Sequence, residues 1–417
     1  MSFFADILSS LFDRKLGLAN RVEDDNKPID DLCQALLSSR GDVSGMSLAQ
    51  LILDRYADLD DDNKLAWFLL LANDMDVPAE VAIAAIKAYQ DAPSAKNYEA
   101  MTAAVEPARL QLIRRLNQTH DATAKLVAMR EDLIRFLPEH PDLGKLNVDF
   151  KHLFASWFNR GFLVLRPINW SSPAHILEKI ITYESVHEIE NWDDLRRRLQ
   201  PEDRRCFAFF HPAMPDEPLI FVEVALTKGT PNSIQSVLLE NRDAMAAEKA
   251  DTAAFYSISN CQAGLAGISF GNSLIKTVVQ HLLRELPQIQ NFVTLSPIPG
   301  LVKWLRETGN FDADATAETH MQLAAHYLLN AKHHRGQPHD PVARFHLNNG
   351  ALVGAVHANA DKSKNGMAQS CGVMVNYRYD LPRISENHEA FANQQTVIAE
   401  KSVKMLAAEI EITDRAI

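Results

Sequence analysis

The hydrophobic periodicity of the chain changes near residue 147, and this change constrains the fold more than any single motif does. Before that point, apolar residues recur at three- and four-residue spacing, which predicts amphipathic helices. After about residue 150, short apolar runs alternate with helical segments, which predicts an α/β domain. The segment LPEHPDLGK, rich in helix-breaking residues, separates the two patterns. We therefore expect two domains, comprising residues 1–147 and 148–417.

The first domain is predicted to be an all-α bundle. Its helical segments are SLAQLILDRYADL, NKLAWFLLLAND, EVAIAAIKAYQ, YEAMTAAVEPARLQLIRRLNQ and ATAKLVAMREDLIRFL. Amphipathic helices bury their apolar faces against each other, and alanine-rich faces such as VAIAAIKA allow close contact between helices or subunits. The start of the chain, MSFFADILSSLFDRKLG, predicts an ordinary first helix, because Asp6 and Asp13 do not fit an organelle-targeting peptide. We expect a homo-oligomer, a dimer or tetramer, that associates through this domain.

The composition excludes several classes of function. A net charge of −12 argues against a nucleic-acid partner, and no apolar run reaches the roughly 18 residues of a membrane span. The four cysteines are scattered without a CxxC pair, which fits reduced thiols and a cytoplasmic location. The histidines at 333, 334 and 339 match no zinc-ligand spacing, so no metal site is predicted.

A strand-helix-strand unit forms the centre of the second domain. The strand AAFYSIS is followed by the helix GNSLIKTVVQHLLREL and the strand NFVTLS, and the handedness rule makes the two strands parallel neighbours. Between the first strand and the helix, Gly264, Gly267 and Gly271 would let the backbone approach a ligand, and the helix N-terminus favours a pyrophosphate. The pattern is neither a P-loop nor a dinucleotide fingerprint, and the glycines could equally serve close packing of strand and helix.

Two polar residues follow apolar segments and are candidates for chemistry. In TLSPIPG, Pro297 and Pro299 end a strand, so Ser296 lies where side chains often meet ligands, although it could instead cap the next helix. In FHLNNGA, His346 is surrounded by polar groups. Histidine is the side chain best suited to move protons near neutral pH, although most of the 15 histidines are expected to be structural.

Seven segments in order along the chain resemble the malonyl-CoA decarboxylase family. They are VHEIENWDDLRRR, EPLIFVEVALT, FYSIS, QAGLAGISFGNSLIK, TLSPIPG with VKWL, DPVARFHLNNGA and CGVMVNYRY. The glycine-containing turn after FYSIS is also similar to the acetyl-CoA loop of the GNAT acetyltransferase fold. The resemblance implies an α+β protein in which an all-α oligomerisation domain precedes a GNAT-like α/β domain with a mixed, splayed sheet.

The resemblance also implies site residues. It makes Ser296 and His346 the catalytic pair. It places the coenzyme A phosphates at a helix N-terminus formed by Gln262, Gly264, Ala266, Gly267, Ile268, Ser269, Phe270, Gly271 and Asn272. Some relatives carry a glutamate at the position of Ser269, so that residue is assigned only as loop backbone.

The implied reaction converts malonyl-CoA to acetyl-CoA and carbon dioxide through a thioester enolate. Ser296 would orient the leaving carboxylate, and a protonated His346 would give its proton to the α-carbon. Activity should then fall as the pH rises through the pKa of His346, normally about 6.5. No cofactor is expected, because the thioester carbonyl accepts the electrons and coenzyme A enters as part of the substrate.

Two other functions stay open. Ser296 and His346 could form the dyad of an acyl-CoA hydrolase or acyltransferase, although Ser296 lacks the G-x-S-x-G elbow. The protein could also be a non-catalytic acyl-CoA-binding regulator, but a binding module does not need both residues.

Overall fold

The computed structural model describes residues 27–38, 42–240, 242–268, 274–333, 336–410 and 412. They form two compact units. The first comprises the described residues up to Asn159 together with Gln262–Ile268, and the second comprises Arg160–Cys261 and the described residues after Ile268. The helix predicted at the start of the chain lies outside the described residues. The predicted domains, residues 1–147 and 148–417, remain a prediction.

The first unit is helical, as its periodicity predicts. Its helices are α1 (Ile29–Ser38), α2 (Asp42–Ala57), α3 (Asp61–Asn73), α4 (Ala79–Asp91), α5 (Ala95–Val105), α6 (Ala108–Leu116), α7 (Ala122–Phe136) and α8 (Gly144–Trp157). Side-chain caps begin two of them: Asp60 accepts the N–H of Asn63, and Ser94 accepts the N–H of Asn97. Each cap satisfies a backbone donor that has no partner inside its helix.

The segment YEAMTAAVEPARLQLIRRLNQ forms two helices rather than one continuous helix. Helix α5 ends at Val105 and α6 begins at Ala108. Between them, Glu106 and Pro107 have extended backbones, because proline has no N–H for the helix and restricts the residue before it.

The second unit contains the strands. They are β1 (Val164–Ile168), β2 (Arg204–His211), β3 (Met214–Thr227), β4 (Thr252–Asn260), β5 (Asn291–Thr294), β6 (Ser296–Pro297), β7 (Leu352–His357) and β8 (Met374–Arg378). Its helices are α9 (Ala174–Tyr183), α10 (Trp192–Leu199), α11 (Ile234–Leu238), α12 (Leu274–Glu285), α13 (Leu301–Glu307), α14 (Ala317–Leu329), α15 (Pro341–Asn348), α16 (Lys364–Ser370), α17 (Ile384–Gln394) and α18 (Lys401–Ala408).

The eight strands described in this unit form one mixed sheet. Strands β1 to β4 are antiparallel neighbours, and β4 and β5 are parallel, as the strand-helix-strand pattern predicts. Strand β8 pairs antiparallel with β5, β6 and β7. The predicted class, an α+β protein, is confirmed: a helical N-terminal region precedes an α/β domain with a mixed sheet.

Two apolar clusters form the interior of this unit. One includes Ile180, Leu195 and Phe221, and the other includes Tyr256 and Leu295. Within the residues that the structure describes, no helix combines the length and apolar composition needed to span a membrane.

A buried carboxyl group lies in β3 against a residue of α10. Glu223 is fully buried, and its Oε2 lies 3.4 Å from Nη1 of Arg198. The guanidinium of Arg198 also binds the carboxylate of Asp194, at 3.0 Å, and two backbone oxygens. Burial and the nearby charge of Glu184 outweigh the attraction of Arg198 and raise the pKa of Glu223 from 4.5 to about 8.

We expect Glu223→Gln to stabilise the protein at alkaline pH. The folded-state pKa of Glu223 lies above its unfolded value, so its contribution to stability is complete below about pH 4.5 and is lost as the pH rises to about 8. Glutamine keeps the shape without the charge, so the gain should be roughly 1–3 kcal/mol at about pH 9 and much smaller at about pH 5. Thermal unfolding at the two pH values measures this difference.

The exposed substitution Glu248→Gln is the control, because it changes the same functional group in water. An equal effect of Glu223→Gln at both pH values would contradict the raised pKa.

Candidate active site

Ser296 lies where the chain exchanges one strand partner for another. Strand β5 pairs with β4 as far as Thr294, and the N–H of Leu295 makes the last hydrogen bond, to the oxygen of Phe255 at 2.9 Å. Ser296 pairs instead with Val375 of β8, while β4 continues to Asn260. The two parallel strands therefore splay apart at Ser296.

The capping role considered for Ser296 is excluded by the start of the next helix. Helix α13 begins at Leu301, its N-cap is Gly300, and no side chain caps it. The hydroxyl of Ser296 instead donates a hydrogen bond to Oγ1 of Thr294, at 2.8 Å. That oxygen also accepts the N–H of Tyr377, at 3.0 Å. The serine is thus fixed by the strand that precedes it and by β8.

His346 lies on α15, a short helix whose start the sequence specifies. Asp340 is the N-cap and accepts the N–H of Ala343 at 2.8 Å, and Pro341 occupies the first helical position. Proline suits that position because the N–H it lacks would have no partner inside the helix. The helix carries His346 into the second unit's interior, where the imidazole is buried.

The structure brings His346 and Ser296 together, although 50 residues separate them in sequence. Nε2 of His346 lies 3.3 Å from Oγ of Ser296, and Nδ1 lies 2.7 Å from the hydroxyl oxygen of Tyr379. The imidazole stacks on the ring of Tyr377, with 4.6 Å between ring centroids and 23° between planes. Two hydrogen bonds and one stacked ring therefore fix the orientation of the imidazole.

The expectation that His346 is protonated is wrong for the protein without substrate. Burial lowers the pKa of His346 to about 3, because the imidazolium would lose its hydration. Burial also holds the pKa of Tyr379 well above its usual range, so its hydroxyl keeps its proton. The pair is therefore uncharged near neutral pH.

The hydrogen bonds assign the tautomer of His346. Because Ser296 uses its only proton for Thr294, the imidazole must donate in the Ser296–His346 pair, and Nε2 carries the hydrogen. Nδ1 then accepts the hydroxyl proton of Tyr379. The hydrogen bonds therefore run in one direction, from Tyr379 through His346 and Ser296 to Thr294.

Thr294 and Tyr379 are site residues that the sequence analysis did not select. Thr294 has a visible signal, because it alternates with Ser296 and so shares its face of the strand. Tyr379 is the last residue of the family-like segment CGVMVNYRY, but nothing local in the sequence indicates its contact with His346, 33 residues earlier.

Part of the predicted phosphate loop belongs to the first unit. Gln262, Gly264, Ala266, Gly267 and Ile268 lie there. Of the remaining predicted residues, Ser269, Phe270, Gly271 and Asn272 lie outside the described part of the chain. The coenzyme A site therefore stays a prediction.

Gly264 serves close packing in the first unit. A Cβ at this position would overlap the backbone oxygen of Val127 in α7. The buried guanidinium of Arg130 donates to the backbone oxygens of Gly264 and Ala266, at 2.6 and 2.8 Å. Gly267 has a φ of +74°, a backbone conformation that glycine adopts more easily than residues with a side chain.

The described residues contain no group of three or more histidine, cysteine, aspartate or glutamate side chains arranged to hold a metal ion. Of the three histidines weighed as ligands, His334 lies outside the described residues.

Two family models match the chain. The model of the malonyl-CoA decarboxylase C-terminal domain matches residues 161–318 and 307–415. The model of the malonyl-CoA decarboxylase N-terminal domain matches residues 77–158. Both matches fall in the order that the sequence motifs imply.

Individual relatives agree with the family models. The mitochondrial malonyl-CoA decarboxylase of Anser anser anser is 37% identical over 351 residues, covering 72% of this chain and 69% of the relative. The crystal structure of malonyl-CoA decarboxylase from Rhodopseudomonas palustris is 49% identical with a TM-score of 0.85, covering 90% of this chain and 98% of that chain. The structure from Agrobacterium vitis is 47% identical with a TM-score of 0.86, covering 91% and 99%.

We expect the imidazole of His346 to stay neutral between about pH 5 and pH 9, because its burial opposes the charged form. Nitrogen NMR of protein labelled at histidine measures this directly, and His346→Asn identifies the signal. The other histidines of the same sample are the control, because exposed imidazoles should titrate within this pH range. Protonation of His346 between about pH 6 and pH 7 would contradict the assignment.

Proposed function

The chain belongs to the malonyl-CoA decarboxylase family and is a carboxy-lyase, and we propose that it converts malonyl-CoA to acetyl-CoA and carbon dioxide through a thioester enolate. The observation that carries the proposal is the buried contact between Ser296 and His346, with 3.3 Å between Oγ and Nε2. Both residues come from the motifs that resemble the family, and both are buried beside a point where two parallel strands splay.

The reaction requires one bond to break and one to form. The bond between the α-carbon and the carboxylate breaks, its electron pair delocalises into the thioester carbonyl, and carbon dioxide leaves. A proton then bonds to the α-carbon and the enolate returns to a thioester. The site must therefore hold the carboxylate out of the thioester plane and supply one proton.

We assign the proton to a neutral His346. A thioester enolate is basic at carbon, so a neutral N–H can protonate it, and Nε2 carries that hydrogen in the assigned tautomer. As Nε2 gives up its proton, Nδ1 can take one from the hydroxyl of Tyr379 at 2.7 Å. The imidazole then passes from one neutral tautomer to the other. The negative charge of the enolate moves to the phenolate oxygen of Tyr379, which must regain a proton before the next turnover.

We assign Ser296 to the leaving carboxylate. Its hydroxyl donates to Thr294 without substrate, and rotation about one bond would turn the same proton toward an incoming carboxylate. Thr294 remains held by the N–H of Tyr377 when the serine turns. The proposed reaction needs no cofactor, because the thioester carbonyl accepts the electrons and coenzyme A arrives with the substrate.

The hydrolase or acyltransferase alternative uses the same pair differently. A nucleophilic serine would give its proton to Nε2 of His346, and the group at Nδ1 would stabilise the imidazolium that forms. That group is the neutral hydroxyl of Tyr379 rather than a carboxylate. The environment therefore favours a neutral imidazole, which supports decarboxylation over acyl transfer.

The purified protein is expected to turn malonyl-CoA into equal amounts of acetyl-CoA and carbon dioxide, measured by chromatography and gas release. His346→Asn and Ser296→Ala should each lower kcat by about 100-fold or more, because they remove the proton donor and the group that orients the carboxylate. Both variants should still bind acetyl-CoA. His175→Asn, an exposed change elsewhere in the same unit, is the matched control.

Free coenzyme A as the product would favour hydrolysis instead. Binding of acyl-CoA without turnover would leave only a regulator.

We further propose that the chain forms a homo-oligomer through the hairpin of α4 and α5. Helix α4 buries only Ala82, and none of the residues of α5 is buried. Their exposed apolar side chains include Val81, Ile83 and Tyr98, which are 56, 66 and 52% exposed. An apolar surface of this kind is typical of protein interfaces.

Ile83→Asp is expected to shift the protein to a smaller species in gel filtration with light scattering, because a carboxylate cannot be buried unpaired in an interface. Gln90→Asp adds the same charge at an exposed polar position of α4 and should leave the oligomer unchanged. A monomeric unaltered protein would remove the proposal.

A cytoplasmic location is also proposed. Cys33, Cys206, Cys261 and Cys371 are free thiols, which supports a reducing compartment. The curated relative from Anser anser anser is named as mitochondrial, so fractionation of cells that express the protein is the test.

A further inference from the structure

Asp340 is buried more completely than a helix cap requires. Its side chain has no exposed surface, and Oδ1 accepts the N–H of Ala343 at 2.8 Å. Within the described residues, Oδ2 accepts no hydrogen bond. A serine or threonine would cap the helix through one oxygen, whereas burying a carboxylate costs free energy. Capping alone therefore does not explain an aspartate here.

The same carboxylate lies beside the segment that carries Ser296. Gly300 ends the SPIPG motif, and its backbone N–H is near enough to the carboxylate of Asp340 to oppose the rise of its pKa on burial. A Cβ built on Gly300 would lie 3.8 Å from Oδ2 of Asp340 and would overlap the hydroxyl of Tyr327. The absence of a side chain at Gly300 thus allows the motif to pack against the hydroxyl of Tyr327, beside the carboxylate.

The carboxylate also acts on the ring that stacks on His346. Tyr377 is fully buried, and its hydroxyl has no hydrogen-bond partner in the part of the chain that the structure describes. After burial itself, the charge of Asp340 is the next largest influence that raises the pKa of Tyr377. Asp340 is therefore electrostatically coupled to the residue that stacks on His346.

We propose that Asp340 is a positioning residue, which fixes the separation of Ser296 and His346 by capping the helix of His346 and by attracting the backbone of Gly300 in the segment of Ser296. Ala343 belongs to the helix of His346, and Gly300 follows Ser296 by four residues. One carboxylate thereby couples the segments of Ser296 and His346, which are 50 residues apart in sequence. The proposal rests on the proposed decarboxylation at this pair.

The coupling depends on ionisation of Asp340. Burial raises its pKa from 3.8 to about 6, and interactions with the N–H groups of Ala343, Gly300 and Val342 and the charge of Arg344 oppose this. The titratable groups that face it are Arg344 on its own helix, Tyr327 on α14 and Tyr377 on β8. Above about pH 6 the ionised carboxylate attracts these N–H groups most strongly, and below that pH protonation weakens the attraction.

The test is Asp340→Asn, which keeps one oxygen for the cap and removes the charge. We expect kcat for malonyl-CoA to fall about 10- to 100-fold with KM changed less than about twofold, because misplacing catalytic groups slows the chemistry without weakening coenzyme A binding. The kcat of the unaltered enzyme should fall below about pH 6, a decrease called here the acid limb of the pH profile. The variant should lack this acid limb. A crystal structure of the ligand-free variant should show more than 3.3 Å between Ser296 Oγ and His346 Nε2.

Thr316→Ala is the matched control. Thr316 caps α14 by accepting the N–H of Thr319 at 3.1 Å, is exposed, and lies in the same unit. Its loss should leave kcat and the pH profile within about twofold of the unaltered enzyme, since it removes a cap and no contact to the pair.

The outcomes separate the two proposals. If the unaltered protein does not decarboxylate malonyl-CoA, the proposed function fails, and the crystal structure of Asp340→Asn still tests positioning. If the unaltered protein is active but has no acid limb near pH 6, or if Asp340→Asn keeps its kcat and its acid limb, the positioning role is overturned. The acid limb is measured on the unaltered enzyme, so the test does not depend on the folding of the variant.

Discussion

The exchange of strand partners at Leu295 is the constraint on which the candidate site depends. The N–H of Leu295 still bonds to β4, through the oxygen of Phe255, and the next residue pairs with β8. Pro297 and Pro299 lack the N–H groups that would let the strand continue beside β4. The polar side chain of Ser296 is consequently held at the point where β4 and β5 diverge. There it is within hydrogen-bonding distance of His346 on α15.

Desolvation then determines the charge of the site. Among the residues that the structure describes, no carboxylate raises the pKa of His346, so burial is unopposed and the imidazole is neutral. Its hydrogen-bond partners, the hydroxyls of Tyr379 and Ser296, are also neutral. Under the proposed reaction, such a site offers directed hydrogen bonds to an anionic substrate. Because Ser296, His346 and Tyr379 are uncharged, no charged side chain has to be stripped of water.

The sequence predicts elements better than contacts. The parallel pair of β4 and β5 follows from the order strand-helix-strand, and the end of β5 follows from the prolines. Pro107 is a signal for a helix break, but the helical periodicity continues on both sides of it. The segment was therefore predicted as one helix instead of two. The sequence does not indicate the neutral state of His346 in the protein without substrate, because the burial that lowers its pKa depends on residues that are distant in sequence.

The glycines of the predicted phosphate loop show why a composition signal is ambiguous. Gly264 is needed because the oxygen of Val127 occupies the space of a Cβ, and Gly267 is needed for its positive φ. Neither requirement involves a ligand, so two of the three glycines that suggested phosphate binding are explained by packing and backbone conformation. The case for coenzyme A at this loop therefore rests on the family relationship, and the glycine pattern adds little to it.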